Sequence, residues 1–243
     1  MDILYWTNLN QSVEIKDTKS LFYKKYLYKM EVYCPGGRSA NEENIREALN
    51  VRTGNQARQA NYGGYWGRSA RFDLANANMA QLSVLRSLIL DQTGYQVRVE
   101  EPNVSFYASN EGTLKSIIGR FDYDMQSRIR YVCGPRNDQH RQLLLDNKKI
   151  FSKKGNKNRE FKYLVKMKDR RIDNQTKHQL ARYLDSLGDL VHIPPSSRDM
   201  LNNDYGFWGV YFYSNDRSIL SFVELIVPGS VSNVQEIVLV DDK

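Results

Sequence analysis

Two stretches of this chain repeat. Lys25-Tyr26-Leu27-Tyr28-Lys29-Met30 and Lys162-Tyr163-Leu164-Val165-Lys166-Met167 agree at five of six positions, at an offset of 137 from Lys25 to Lys162. Further along, Val104 to Asn110 parallels Gly209 to Asn215, at an offset of 105 from Asn110 to Asn215. That second register runs on without a gap. Leu114, Ile117, Ile118 and Phe121 fall opposite Ile219, Phe222, Val223 and Ile226, and both sets have the i, i+3, i+4, i+7 spacing of an amphipathic helix. Asn110 and Asn215 are placed to cap these helices by accepting the orphan N–H groups of the first turn. Between the two anchors, Leu90 to Gly94 and Leu184 to Gly188 each end a helical stretch on a glycine. Landmarks kept in the same order twice imply two copies of one unit laid end to end.

Each copy reads as strand (22–33; 160–168), helix (76–92; 173–187), strand (95–100; 189–193), strand (103–109; 208–214), helix (111–121; 216–226), strand (128–133; 233–240). An extra strand is expected before each, at Ser12 to Lys16 and at Lys149 to Lys153. The β-α-β-β-α-β order is that of the ferredoxin-like arrangement, an α+β fold in which an antiparallel sheet carries helices on one face. One face of each sheet is then expected to be free. The expected domains are 1–145 and 146–243. The drop in offset from 137 to 105 gives the first copy a net 32 residues more, nearly all within 34–75. A short helical piece, Glu42 to Leu49, falls inside this insertion. The second copy has a smaller addition, Pro194 to Asp204. Insertions in a repeated scaffold are where copies take on separate roles.

The formal net charge is +7. Such an excess favours a polyanionic partner, because Lys and Arg gain by releasing counterions condensed on phosphates. No run approaches the roughly 18 apolar residues of a membrane span, and Met1 to Asn10 lacks the basic and apolar regions of a secretory signal. No membrane association and a cytoplasmic or nucleoid location are expected. The abundance of Asn, Lys and Tyr fits an AT-rich genome and suits a viral or phage source. Cys34, Cys133 and the three histidines do not make a zinc spacing, and no cofactor or metal is expected.

The first-copy insertion combines Arg52, Arg58, Arg68 and Arg71 with Tyr62, Tyr65 and Trp66, spaced by glycines. Arginine offers forked donors to phosphate and an aromatic ring offers a platform to a base, a mixture suited to single-stranded nucleic acid. A second basic tract runs from Lys148 to Arg171. It includes Lys149, Lys153, Lys154, Lys157, Arg159, Lys162, Lys166, Lys168 and Arg170, with Glu160 and Asp169 its only acids. Strand alternation sets Lys162, Leu164 and Lys166 on one face against Tyr163, Val165 and Met167. The first copy matches this with Lys25, Leu27 and Lys29 against Tyr26, Tyr28 and Met30. Both sheets are expected to show lysines on the face without helices.

The third strands carry Phe106, Tyr107, Tyr211, Phe212 and Tyr213, with at least one ring of each strand on that face. Topology and aromatic placement resemble the RNA-recognition motif, whose central-strand rings stack bases. The Lys/Arg-Gly-Phe/Tyr-Gly/Ala-Phe run of that family is missing. Leu90 to Gly94 and Leu184 to Gly188 resemble the end of the LAGLIDADG signature helix, but Thr93 and Leu187 stand where that family has its metal-binding acids. CRISPR repeat-processing endoribonucleases share duplicated ferredoxin-like folds. Their glycine-rich loop is represented here only by Pro228-Gly229-Ser230. No Walker phosphate loop is present. The sequence therefore points to a non-catalytic binder of single-stranded RNA or DNA. The alternatives are a structural or assembly protein contacting other protein subunits and a divergent nuclease of one of these two families.

Overall fold

The computed structural model describes residues 1–61, 74, 77–152, 161–203 and 207–240. For 54–61 and for 152 it describes the backbone alone. The chain divides into two compact units, Met1–Arg141 and Gln142–Lys243. Each is built from one five-stranded mixed sheet and helices, so the protein is α+β with two similar units.

In the first unit the strands are β1 (Glu14–Asp17), β2 (Tyr28–Tyr33), β3 (Tyr95–Glu100), β4 (Asn103–Ala108) and β5 (Ile129–Gly134), in the order β1-β5-β2-β4-β3. In the second they are β6 (Lys149–Ser152), β7 (Tyr163–Met167), β8 (Val191–His192), β9 (Tyr211–Ser214) and β10 (Val231–Val240), in the order β6-β10-β7-β9-β8. The pairing senses also agree. β1 runs parallel to β5 and β6 parallel to β10, while every other pair is antiparallel.

The first core has helices on one side of its sheet. These are α1 (Ile3–Leu9), α3 (Met79–Asp91), α4 (Glu111–Ile118) and α5 (Tyr123–Ser127), with α2 (Ile45–Asn61) preceding α3 in the chain. Trp6, Leu82, Leu85, Leu88, Leu114, Ile118 and Met125 meet Met30, Val32, Val104, Phe106 and Val132 there. These residues recur every third or fourth position on the helices and every second on the strands, so each element shows the sheet one apolar face. Asn110 caps α4 by accepting from Thr113 N at 2.8 Å. Helix α6 (Asp138–Leu145) follows β5. The second core repeats the scheme with α7 (Asn174–Ser186), α8 (Pro195–Asn202) and α9 (Leu220–Ile226). Val165, Met167, Phe212, Leu180, Leu184 and Val223 are among its buried residues.

The insertion begins as a 3-10 turn, Gly37–Asn41, and continues into α2, longer than the piece expected at Glu42 to Leu49. Gly36 takes φ 78, and a Cβ on Gly37 would lie 3.0 Å from Val104 Cγ2, so the two glycines bring the chain tightly over the sheet. The second-copy addition folds as α8.

Three expectations are corrected. Lys25 and Leu27 precede β2 instead of lying in it. They belong to a strap, residues 18–27, that folds over the face of the first sheet without helices, so that face is not free. Leu27 and Tyr26 are 3% and 5% exposed, Thr18 Oγ1 donates to the Leu27 carbonyl at 2.7 Å, and Phe22 and Tyr23 pack on Tyr107 with ring centroids at 5.5 and 4.9 Å. Asn215 does not cap α9. Its Oδ1 accepts from Lys162 N at 3.1 Å, while Asp216 accepts from Ser218 N and Oγ at 2.8 and 2.6 Å. This local turn delays the helix to Leu220, which rotates Phe222 outward to 58% exposed.

Candidate functional site

The strand register decides which side chains share the helix-free face of each sheet. In the second unit Lys166 stands opposite Tyr211, Leu164 opposite Tyr213, and His192 opposite Tyr213. Across β10, Gln235 faces Leu164, Ile237 faces Lys149 and Leu239 faces Phe151. Lys149, Phe151, Leu164, Lys166, His192, Tyr211 and Tyr213 therefore lie on one side, because partners in register point the same way.

The rings on this side touch one another. Phe161 stacks on His192 at 5.9 Å and lies 6.1 Å from Tyr213. Tyr213 is 6.4 Å from Phe151 and 5.9 Å from Tyr211. Lys149 Nζ sits 5.5 Å from the Phe151 ring centre, a cation over a π-face. At the centre Tyr213 is only 6% exposed, while His192 and Lys162 are exposed and Phe161, Lys166 and Tyr211 half-buried. The only acid in the five strands is Glu236, on the opposite side, where it pairs with Lys148.

The same face of the first unit is built otherwise. Lys16 pairs with Glu14 at 2.7 Å, Lys29 with Glu31 at 3.1 Å, and Arg98 with Glu100, each acid two residues away on the same strand. Tyr131 ties the centre together. Its hydroxyl bonds Lys29 Nζ and donates to Glu31 Oε2 at 2.8 Å, and its ring lies 4.4 Å beneath Lys16 Nζ and 4.7 Å from Lys29 Nζ. Burial pulls the Lys29 pKa down, but the hydrogen bonds to Tyr131 and Glu31 outweigh it and hold the ammonium above the ordinary lysine range. Burial pushes the Tyr107 and Tyr131 phenols up.

Of the sequence-selected residues, Lys162 and Lys166 fall in the second-unit site. Lys29 lies within the first-unit ion-pair network, and Lys25 is exposed on the strap with its Nζ 5.0 Å from the Tyr26 ring. Arg52, on α2, forms an ion pair with Glu101, whose carboxylate is 3% exposed. Desolvation lowers the Arg52 pKa, with Arg38 adding to the effect. Arg52 also lines a concavity of about 520 Å³ with Arg38, Glu42, Glu43 and Glu47. The side chain of Arg58, and Tyr62, Tyr65, Trp66, Arg68, Arg71, Lys153, Lys154, Lys157 and Arg159, lie outside the described residues. Sequence reasoning missed Phe161 and His192. Position 161 flanks the repeated hexapeptide and 192 sits in a two-residue strand, so neither carries a periodic signal.

Other candidate chemistry is occupied locally. Asp122 and Asp124 share the Gln81 amide at 3.0 and 2.9 Å, and Asp124 pairs with Arg128 at 2.7 Å. Asp91 accepts from the Thr93 hydroxyl at 2.7 Å, and Asp185 holds Arg198 through two bonds of 3.0 and 2.7 Å. Burial pushes the thiols of Cys34 and Cys133 up to about 12 and about 11, which keeps them protonated at neutral pH. Among the described residues no group of three or more His, Cys, Asp or Glu side chains is placed to hold a metal ion, and no helix is long and apolar enough to cross a membrane. Comparison of the chain with protein-family models, with curated proteins and with solved structures gave no match.

Proposed function

We propose that each unit is a ferredoxin-like module and that the chain is a non-catalytic nucleic-acid-binding protein, whose contact with single-stranded RNA or DNA centres on the helix-free face of the second unit. The ferredoxin-like reading is supported by the core strand order, β5-β2-β4-β3 and β10-β7-β9-β8, in which β2 lies between β5 and β4, and β7 between β10 and β9. The observation that carries the functional reading is the gathering of Lys149, Lys162 and Lys166 around Tyr211, Phe161 and His192. Cations meet phosphates, and rings offer π-faces to unpaired bases. The charge distribution agrees. The tract Lys148 to Arg171 holds eleven Lys and Arg against two acids, so it alone outweighs the +7 of the whole chain. A short run of that density is the electrostatic footprint expected of a backbone-tracking surface.

The test is fluorescence anisotropy with labelled oligo(U) and oligo(dT) at about 50 mM salt, a low-salt condition that favours phosphate contacts. Affinity is expected to fall on a log–log plot with a slope of about −0.7 per phosphate neutralised. Tyr211→Ala is expected to weaken binding about tenfold through lost stacking. Wild-type protein that binds neither strand sinks the reading.

A protein-partner reading has its own observation. Phe222 and Leu225 of α9 are 58% and 76% exposed. If that surface joins subunits, sedimentation shows a defined oligomer that Phe222→Ser with Leu225→Ser converts to monomer.

A further inference from the structure

Tyr23 and Lys24, at the tip of the strap, are adjacent non-glycine residues with φ 52 and 58. They are the central pair of a tight turn closed by Lys25 N donating to the Phe22 carbonyl at 3.0 Å, and Phe22 and Tyr26 exchange backbone hydrogen bonds of 2.9 and 2.8 Å. A turn whose two central residues both take positive φ is ordinarily filled by Asn and Gly. A bulky side chain there is strained, because its Cβ crowds the following carbonyl. Strain of this kind persists only where the surroundings hold it, and it clusters at functional sites.

Packing accounts for part of Tyr23 only. Its ring meets Tyr107 edge-on at 4.9 Å, yet the residue is 47% exposed. Its phenol lies near Arg98, a side chain 53% exposed on β3, and raises the guanidinium's pKa. Lys19 and Lys25 are exposed on the same strap.

We propose that the Tyr23-Lys24 tip is a second contact for single-stranded nucleic acid, on the first unit. The exposed face of Tyr23 stacks on a base, and Lys25 beside it on the strap meets a phosphate. This rests on the nucleic-acid reading above. The first unit then takes part through its strap, while the sheet beneath stays closed by its own ion pairs.

The experiment compares the full chain with Tyr23→Asn/Lys24→Gly, which fits the turn but removes the ring, by thermal melting and by anisotropy with labelled oligo(U) and oligo(dT). The melting temperature is expected to rise, because the substituted turn is unstrained. Affinity for at least one strand is expected to fall about tenfold, the loss of one stacked base. Tyr23→Phe, which keeps the ring, is expected to bind as the wild type does. Unchanged affinity of the Asn-Gly variant for both strands overturns this proposal alone. Loss of affinity in Tyr23→Phe equal to that of the Asn-Gly variant overturns the stacking role. Wild-type protein that binds neither strand overturns both this proposal and the reading it rests on.

Discussion

On the helix-free face of the first sheet, Lys16, Lys29 and Arg98 each have an acid two residues along their own strand. On the corresponding face of the second sheet the strands carry lysines and rings, and their one acid points the other way. Strand order and pairing are the same in both. A shared backbone thus supports two electrostatic solutions, a face closed on itself and a face rich in cations. Lys29 and Lys166 make the contrast concrete. They occupy matching places in the repeat, yet Lys29 sits in a carboxylate–phenol cage and Lys166 stands opposite a tyrosine.

The largest expected effect tests whether the scaffolds are equivalent. Phe106→Ala and Phe212→Ala remove fully buried rings from the helix side of β4 and of β9. Each is expected to cost about 3–5 kcal/mol in chemical denaturation. A large loss in one unit with none in the other breaks the comparison at its root.

Next comes the closed face. Lys29 and Glu31 side chains are 13% and 14% exposed, and Lys29→Met leaves a carboxylate without its counter-ion, at about 3 kcal/mol. Adding Glu31→Met is expected to recover most of that, and a double variant no better than the single denies that the pair acts as a unit. The same network sets a pH dependence. Lys29, Tyr107 and Tyr131 all hold protons more tightly folded than unfolded. Their contribution is complete below the ordinary lysine and tyrosine range near about pH 10 and is lost as pH climbs through the raised values. Melting curves taken upward from neutral pH are expected to show stability falling from that point, and less steeply in the double variant.

Smaller still is the effect on binding. Lys166→Glu is expected to weaken oligonucleotide affinity about tenfold and to flatten its salt dependence, as loss of a phosphate contact does. Lys16→Glu on the other face is expected to leave affinity unchanged. Equal effects from the two would erase the contrast. The smallest expected effect is Lys16→Ala, whose ion pair is exposed and is worth no more than about 0.5 kcal/mol in thermal melts.

Much of the scaffold was legible because it obeys local periodicity. The inward positions Leu114, Ile117 and Ile118 and the cap at Asn110 are stated by spacing alone, and all occupy their expected roles. Ile219 and Val223 also face inward, but Phe222 does not, since the Asp216–Ser218 turn consumes part of the helix that a common offset assigned to α9. Helices α1, α5, α6 and α8 went unread, as each is eight residues or fewer and stands outside the repeated pattern, with tertiary partners such as Glu111, which accepts from the Trp6 indole at 2.8 Å. The strap was invisible for the same reason. Nothing in residues 18–27 announces that Phe22 and Tyr23 will lie on Tyr107, more than 80 residues away. In the second-unit site, Lys162 and Lys166 followed from alternation, while Phe161 and His192 needed the folded sheet to bring them beside Tyr213.

The parallel pairing of β1 with β5, and of β6 with β10, has a mechanical consequence. In each unit the outermost strand of the sheet is the first in the chain, and it lies alongside the last, both running in one direction. Tension applied to the two ends of such a unit drags these strands past each other, loading their bonds together instead of opening them one by one. Each unit is thus expected to resist stretching in shear, and a force-extension trace of the chain held by its ends is expected to show two separate ruptures.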